Sequence, residues 1–408
     1  MTTQGGLRET MDRVNDSFTQ QSDLRSEREM RWRSTMAGYG DQDLRRAHEE
    51  PSLPLGIDRV VNRELREARD AETLALGATR AIGAGNRDRE EAPDPYRTAF
   101  EVDRDRILHR CTAFRRLAGK TQVFIFPEDH LRTRLTHALE VAQVATSVAR
   151  ALSLNVALAE AIALAHDCGH GPFGHASEDA FSSFLPEGYD HATWGADVVL
   201  APLNLTAETL DGVRNHSWTR PTPTTPEGCV VSFADRIAYL CHDFDDAQSA
   251  GILRREDLPH ELLVLTGGYH GRLIDLFITD LIESSFHGDE IAMSAQVASL
   301  LGSFRRFNDQ LIYSRPASQR QNDIVIELVQ DLVSYFLEHP DDLPQDHAAD
   351  DDVLPLNSVD PALSPLQRAL TYVSGMTDRF VVRKAIEHLG WNPERLPRGI
   401  DLGGFRAP

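Results

Sequence analysis

The chain has 408 residues, of which 41% are hydrophobic, and its formal net charge at pH 7 is −21. This composition supports a sizeable buried core, and the acidic balance argues against broad, sequence-independent binding of nucleic acid, although it does not exclude local basic clefts. The amino terminus lacks the features of a signal peptide, no apolar run reaches the roughly 20 residues that span a bilayer, and four cysteines without a CxxC pair predict reduced thiols. We therefore expect a cytoplasmic protein that does not insert into membranes.

Composition and breaks at glycine and proline predict the organisation of the chain. Residues 1–50 are polar and charge-dense, which is typical of a mobile or loosely docked extension. Residues 51–340 are predicted to form the main domain, in which residues 77–95 are typical of a flexible loop. An acidic, proline-rich break and a final helical segment near residues 366–389 make up residues 341–408. Apolar residues recur mostly with helical spacing, so an all-α fold is expected.

Two predicted helices each carry a histidine on an apolar face. In RLTHALEVAQVATSVARAL, His137 shares one face with Val141 and Val144, so that face should point inward. In VALAEAIALAHDCGH, His166 ends the apolar face that contains Ile162, and Asp167 follows it at the helix terminus. Both histidines are therefore expected in the interior.

A third predicted helix carries carboxylates despite being apolar nearly all round. In CVVSFADRIAYLCHDFDDA, Asp235, Tyr239 and Asp243 follow one another at four-residue spacing and share a face. A buried carboxylate needs a compensating cation. His242 belongs to a second His-Asp pair, but the helical period turns it about 100° from that face, so we interpret it as structural.

The order of these residues predicts a metal site. A histidine, a His-Asp pair and an aspartate, each at the apolar face of a helix, give four candidate ligands, His137, His166, Asp167 and Asp235. Two imidazoles and two carboxylates suit a divalent ion such as Mn²⁺, Mg²⁺, Fe²⁺, Co²⁺ or Zn²⁺. The pattern does not choose among these ions.

The loop after the His-Asp pair is rich in histidine. In HDCGHGPFGHASED, glycines and a proline exclude a continuous helix, so His170 and His175 should project from a constrained turn. Glu178 follows His175 by three residues, where it can accept an imidazole N–H and favour the protonated ring, which predicts a general acid. The alternative is that Glu178 only caps the helix that restarts at Ala176.

Four blocks together resemble the HD-domain deoxyguanosine-triphosphate triphosphohydrolases and their dNTP-hydrolysing relatives. The blocks are DRDRILHRCTAFRRLAGKTQVF, RTRLTHALEVAQVA, HDCGHGPFGH and DRIAYLCHDFDDA, spanning residues 97–246, with a further patch at YVSGMTDRF. The resemblance implies an all-α HD-domain fold with additional helices and cleavage of a dNTP into deoxynucleoside and inorganic triphosphate. It also implies a homo-oligomer, commonly a hexamer.

The resemblance implies roles for individual residues. The family's metal ligands fall on the four residues named above, and its catalytic pair falls on His175 and Glu178. Seven further residues would bind the substrate: His170, His191, Arg134 and Arg236 at the phosphates, Gln122 and Asp243 at the sugar 3′-OH, and Tyr239 against the sugar. The alternatives are a solvated helix face for the two arginines and simple core packing for Tyr239.

Two other functions remain open at this point. The chain can be an HD-type phosphodiesterase or nucleotidase acting on another phosphoester, although the KTQVF block and the four-residue register of the third helix are not required for that chemistry. It can also be a catalytically silent nucleotide-sensing or nucleic-acid-binding protein. All four candidate ligands and the His175-Glu178 pair are intact, which argues against silence.

Overall fold

The computed structural model describes residues 25–40, 43–50, 53–125, 130–344 and 363–397. The chain divides into two units, Met1–Val60 and Val61–Pro408. The remainder of the predicted extension, and the acidic stretch of the predicted break at residues 345–362, lie outside the described residues.

The first unit contains a helix and a short strand pair. Residues 25–35 form helix α1, and the strands Tyr39–Gly40 (β1) and Arg45–Arg46 (β2) pair in antiparallel fashion. Part of the predicted extension therefore has regular secondary structure. The domain boundaries predicted from composition stay a prediction.

The second unit is built from helices, which confirms the predicted all-α class. In chain order they are α2 (Arg63–Thr73), α3 (Ala99–Arg110), α4 (Thr112–Arg116), α5 (Arg134–Ala151), α6 (Val156–Ala165), α7 (His175–Ser182), α8 (His191–Trp194), α9 (Ala207–Asn215), α10 (Pro226–Ser249), α11 (His260–Thr266), α12 (His270–Gly288), α13 (Ala295–Asn308), α14 (Pro316–Glu338), α15 (Pro365–Ser374) and α16 (Asp378–Leu389). The predicted final helical segment is thus two helices. Within the described ranges, no helix has both the length and the apolar character needed to cross a membrane.

Helices α5, α6 and α10 form the centre of this unit. Helix α5 packs against both α6 and α10, and α6 also packs against α3. Val141 and Val144 on α5 and Ile162 on α6 are buried, as their helical spacing predicts. Thr225 caps α10 by accepting the Gly228 N–H, and Pro226 occupies its first turn. Three predicted metal-binding segments therefore belong to the most firmly packed helices of the fold.

A second apolar cluster supports helix α7. Helix α14 packs against α7, α15 and α16, and its buried Leu332 and Phe336 belong to the same cluster as Phe181 of α7. Because α7 begins at His175, the carboxyl-terminal helices hold a segment that sequence analysis predicts to be catalytic. The position of α7, in the middle of the chain, therefore depends on packing against helices near its end.

The segment 77–95 has no helix or strand, as predicted, but it is not a free loop. The side chain of Arg87 is buried, lies 2.5 Å from Asp103 and donates to the Asn204 carbonyl at 2.6 Å. Thr79 donates through its N–H and its hydroxyl to Glu227. The expected flexible loop is therefore tied to helices α3 and α10, because buried charged groups require these partners.

Candidate active site

One cavity of about 760 Å³ collects most of the residues predicted to form the site. The predicted residues that line it are Gln122, Arg134, His137, Asp167, His170, His175, His191, Asp235, Arg236, Tyr239 and Asp243. Two predicted residues lie in the wall behind this surface. His166 is within 3.6 Å of Asp235, and Glu178 is within 3.1 Å of His191.

The four predicted metal ligands meet at one end of the cavity. His137 Nε2 lies 3.1 Å from Asp235 Oδ1, and His166 Nε2 lies 3.6 Å from the same oxygen and 3.3 Å from Asp167 Oδ1. His166 Nδ1 donates to the Ala163 carbonyl at 2.7 Å, which orients the ring and directs Nε2 at the carboxylates. Three helices therefore bring these donor atoms together.

The donor set fits a divalent cation. His166 Nε2 is buried and makes no aligned hydrogen bond within the described structure. Burial lowers the pKa of His166, but the carboxylates of Asp167 and Asp235 outweigh burial and raise it to about 9. Burial raises the pKa values of both aspartates, yet the neighbouring imidazoles, with Arg134 beside Asp167, hold them well below the usual range. Positive charge is thus favoured where these atoms meet, as a metal site requires.

His216 belongs to this end of the cavity and was missed by sequence analysis. It follows α9, donates through Nδ1 to the Val213 carbonyl at 2.8 Å, and places Nε2 3.3 Å from His191 Nε2. Its ring centroid lies 5.0 Å from that of His166. Burial, with His166 and His191 nearby, lowers the pKa of His216 to about 4, so the ring is neutral near pH 7. The only signal in the sequence was a histidine at the end of a short helix.

Arg134 lies beneath the His-Asp loop rather than on a solvated helix face. Its side chain is 2% exposed, and Nη1 donates to Asp167 Oδ2 at 2.6 Å. Gly174 has φ +61°, and a Cβ there would lie 2.2 Å from Arg134 Nη2. Glycine at this position therefore permits both the left-handed backbone and the close approach of the guanidinium.

The structure places Glu178 beside different histidines from the one predicted. Glu178 Oε1 lies 2.9 Å from His170 Nδ1 and 3.1 Å from His191 Nδ1, and the rings of these histidines stack with centroids 3.7 Å apart. His175, predicted to donate to Glu178, lies within 4.8 Å of this group. The two stacked rings occupy the positions nearest to the carboxylate, because α8 brings His191 to the loop.

His175 faces the cavity as the first residue of α7. Enclosure by surrounding protein lowers the pKa of His175, although Glu178 acts in the opposite direction. Glu178 thus favours the protonated ring, as expected, but burial has the larger effect on the pKa of His175 in the free protein. A bound anion would favour the imidazolium form of His175.

Asp243 and Gln122 present polar atoms without partners at the cavity wall. Asp243 Oδ2 accepts from the Tyr313 hydroxyl at 2.5 Å, whereas its Oδ1 and the Gln122 Oε1 are buried and unpartnered among the described residues. Burial raises the pKa of Asp243 to about 8, despite the Tyr313 hydrogen bond. This carboxyl group is consequently protonated at neutral pH and can both donate and accept.

Basic and aromatic side chains occupy the cavity wall along α10 and α13. The Arg236 guanidinium lies 3.6 Å from the centroid of Trp218, whose Nε1 donates to the Ser232 carbonyl at 3.0 Å. Sequence analysis missed four lining residues here: Trp218, Arg305, Arg306 and Tyr313. Arg305 and Arg306 lie outside the four sequence blocks that carry the family resemblance, so their position in the cavity depends on the packing of α13. His242, by contrast, lies against Glu140, with 3.0 Å between Nδ1 and Oε2.

A buried polar network fixes the two loops that reach the cavity. Asp378, at the start of α16, accepts from the backbone N–H of Thr121 at 2.8 Å and of Phe173 at 2.7 Å, and from the Thr121 hydroxyl. Lys120 donates to the carbonyls of His170 and Ser374. The patch YVSGMTDRF thus connects the KTQ segment to the histidine-rich loop.

We expect Asp378→Ala to lower the free energy of unfolding by about 2–4 kcal/mol, because it leaves buried donors without an acceptor. Turnover should also fall, since Gln122 and the histidine-rich loop lose a common anchor. Urea unfolding followed by circular dichroism would measure the first effect. Asp378→Asn, which keeps one acceptor, should be milder, and an unchanged urea midpoint for the alanine variant would contradict this role.

Two family models match separate parts of the second unit. Residues 134–240 match the family model "HD domain", and residues 291–386 match the "Phosphohydrolase-associated domain". The first match contains the four candidate ligands, and the second contains α13, α14, α15 and most of α16.

Two curated relatives match over most of the chain, and a third matches over a shorter part. A deoxyguanosinetriphosphate triphosphohydrolase-like protein of Caldanaerobacter subterraneus is 42% identical over 306 residues, covering 73% of this chain and 87% of the relative. One of Clostridium perfringens is 38% identical over 310 residues, covering 72% and 87%. One of Deinococcus radiodurans is 47% identical over 187 residues, covering 41% and 50%.

Proposed function

Because this chain belongs to the HD-domain family of deoxyguanosinetriphosphate triphosphohydrolase-like phosphohydrolases, we propose that it hydrolyses deoxynucleoside triphosphates to deoxynucleoside and inorganic triphosphate. The substrate is dGTP or several dNTPs. Homo-oligomeric assembly, implied by the resemblance, is part of the same proposal.

A single observation carries the proposal: one cavity combines a cation-binding cluster, guanidinium groups and unpartnered hydrogen-bonding atoms. Its volume of about 760 Å³ is in the usual range for sites that enclose small molecules. Arg134, Arg236, Arg305 and Arg306 line it, and guanidinium groups suit the oxygens of a triphosphate. The unpartnered Gln122 and Asp243 atoms suit a hydroxyl group such as the sugar 3′-OH.

We assign His137, His166, Asp167 and Asp235 as ligands of a divalent cation. Bound there, such an ion supplies Lewis acidity at the reacting phosphate and neutralises part of its charge. Arg134 keeps Asp167 ionised and oriented through their 2.6 Å contact. His166 is oriented by its hydrogen bond to the Ala163 carbonyl.

His175 is assigned to proton transfer. Water attacks the α-phosphorus, the bond from phosphorus to the 5′ oxygen breaks, and the leaving oxygen needs a proton. Burial lowers the pKa of His175 in the free protein, and an anionic triphosphate beside the ring would raise it, so we propose that the ring takes up its proton when substrate binds. Glu178 stabilises positive charge on the histidine cluster. We place His170 and His191 along the phosphates.

Product analysis tests the proposal. All four dNTPs and all four NTPs would be incubated with Mn²⁺, Mg²⁺ or Co²⁺, singly and as mixtures, and the products separated by ion exchange or identified by mass spectrometry. Release of inorganic triphosphate with deoxynucleoside is expected. Release of orthophosphate would instead indicate the HD-type nucleotidase alternative, and no release under any condition would indicate a silent binding protein.

We expect Tyr239→Ala to weaken dNTP turnover and to reduce the preference for dGTP over GTP. Tyr239 lies midway between Asp235 and Asp243 on α10 and lines the cavity, so its ring would pack against the sugar. A 2′-OH pressed on that ring without a partner costs about 1–3 kcal/mol, which corresponds to roughly fivefold to 150-fold discrimination. The ratio of kcat/KM for dGTP and GTP, with one metal, measures this effect.

Tyr239→Phe is the matched control for this experiment. It keeps the ring and removes the hydroxyl, so it should retain the preference for deoxyribose if ring packing is responsible. An unchanged dGTP to GTP ratio in the alanine variant would place sugar discrimination elsewhere.

A further inference from the structure

Four side chains next to the predicted metal ligands form a separate group of cation-binding type. His170, His175, Glu178 and His191 each offer a donor atom, and these atoms lie within 4.8 Å of one another. Three segments supply them: the histidine-rich loop, the first turn of α7 and the start of α8. None of the four is among the ligands assigned above.

The closest contacts in this group lack the geometry of hydrogen bonds. Glu178 Oε1 lies 2.9 Å from His170 Nδ1 and 3.1 Å from His191 Nδ1. All three atoms are nevertheless buried without an aligned hydrogen-bond partner in the described structure. His170 is 1% exposed and His191 is 9% exposed, so water does not readily satisfy them. Buried polar atoms that converge without pairing are costly unless a further group joins them.

We propose that His170, His175, Glu178 and His191 form a second cation site, suited to Zn²⁺ or a similar ion, and that filling it stops catalysis. Three imidazoles and one carboxylate are the ligand types and number of a four-coordinate zinc site. Donors around such an ion, with bonds of about 2.0–2.1 Å, lie roughly 3.4 Å apart. The two contacts of Glu178, with His170 and His191, are close to this distance, and all four donor atoms lie within 4.8 Å of one another. Mg²⁺ prefers oxygen ligands and six-fold geometry, which this group does not offer.

The second site is adjacent to the first without sharing a ligand. His170 Nε2 lies 3.2 Å from Asp167 Oδ1, so the ring that offers Nδ1 to the second site contacts a ligand of the first through its other nitrogen. His191 likewise contacts His216 through Nε2, which leaves Nδ1 directed at Glu178. The two rings are stacked with centroids 3.7 Å apart, so binding of both Nδ1 atoms to one ion requires the rings to tilt relative to each other.

Inhibition is expected because the ion would bind side chains that are assigned to catalysis. Only this part of the inference rests on the proposed function. A nitrogen lone pair of His175 that binds a cation cannot carry the proton assigned to it above. Ligation would also remove Glu178 from its electrostatic role beside the histidines. Zn²⁺ at the second site therefore competes directly with proton transfer.

Metal stoichiometry of the purified full chain tests the site independently of turnover. After removal of metals and equilibration with Zn²⁺, elemental analysis should find two ions per chain in the unsubstituted protein. Asp235→Ala should keep the second ion and lose the first, whereas Glu178→Gln and His191→Ala should keep the first and lose the second. With Co²⁺ as the probe, the visible absorption of a four-coordinate ion should persist in Asp235→Ala and disappear in Glu178→Gln.

His260→Ala, which removes an exposed histidine, is the matched control and should leave both ions in place. Unfolding midpoints of all variants would confirm that they fold. One ion per chain in the unsubstituted protein, or a second ion that persists in both Glu178→Gln and His191→Ala, would overturn the proposal.

A turnover experiment tests whether the second ion inhibits hydrolysis, separately from whether it binds. With the first site filled by Mn²⁺, adding Zn²⁺ should reduce dNTP hydrolysis at least tenfold as the second ion binds, while bound Mn²⁺ stays constant, and a zinc chelator should restore it. Binding without loss of turnover would overturn the inhibitory role alone. A chain that releases no triphosphate from any dNTP would contradict the proposed function, whereas the stoichiometry would still decide the second site.

Discussion

Asp235→Ala is expected to abolish bound divalent metal at the first site and to reduce dNTP hydrolysis by about 10³-fold or more. Asp235 is the carboxylate that both His137 and His166 approach, at 3.1 and 3.6 Å. It is also the only assigned ligand from α10, so its loss leaves an incomplete set. Metal content by elemental analysis and turnover of dGTP would be measured on the same preparation.

Two further substitutions make this result specific. Asp235→Asn keeps the shape of the side chain and removes its charge, so it should also weaken metal binding, though less severely. Asp275→Ala removes an exposed aspartate from α12 and should change neither quantity. Near-stoichiometric metal with normal turnover in Asp235→Ala would refute the assignment.

His175→Ala should lower kcat by about 10²- to 10⁴-fold, the usual scale for a proton-transfer group, while leaving metal at the first site and substrate binding largely intact. The side chain faces the cavity at the start of α7 and is not among the assigned ligands of the first site. Its removal takes away the group that protonates the leaving oxygen. Steady-state kinetics with dGTP, metal analysis and binding of a non-hydrolysable dGTP analogue would separate these effects.

The control for His175→Ala is a substitution of an exposed histidine that does not line the cavity. His260→Ala should behave like the unsubstituted chain. If His175→Ala retains kcat but loses affinity for the analogue, the histidine binds substrate and does not transfer the proton. A parallel loss of Mn²⁺ from the first site would instead place His175 among the ligands of that site.

The helical fold and the positions of the candidate ligands could be predicted because each depends on local periodicity. His137 follows the apolar face of α5, and Asp235 shares a face of α10 with Tyr239 and Asp243. A side chain on an apolar face must point into the core. The convergence of these helices on one site was a hypothesis from motif order, and the cavity brings the residues together as that hypothesis requires.

Other parts of the site could not be predicted, because they depend on contacts between distant segments. His216 and Arg305 carry no motif of their own and reach the cavity only through the packing of α9 and α13. The partner of Glu178 was misjudged for the same reason: spacing along the chain favoured His175, three residues away. Helix α8 brings His191 beside Glu178 instead.

The sequence by itself determined the all-α class and supplied candidate cation ligands, since helical periodicity and side-chain chemistry are local properties. Tertiary structure decided which donor atoms meet and how they titrate. Against the effect of burial, the carboxylates of Asp167 and Asp235 raise the pKa of His166 to about 9, whereas burial itself raises the pKa of Asp243 to about 8. Such environments exist only once the helices pack, because desolvation and Coulomb interactions depend on distances that the order of residues does not specify.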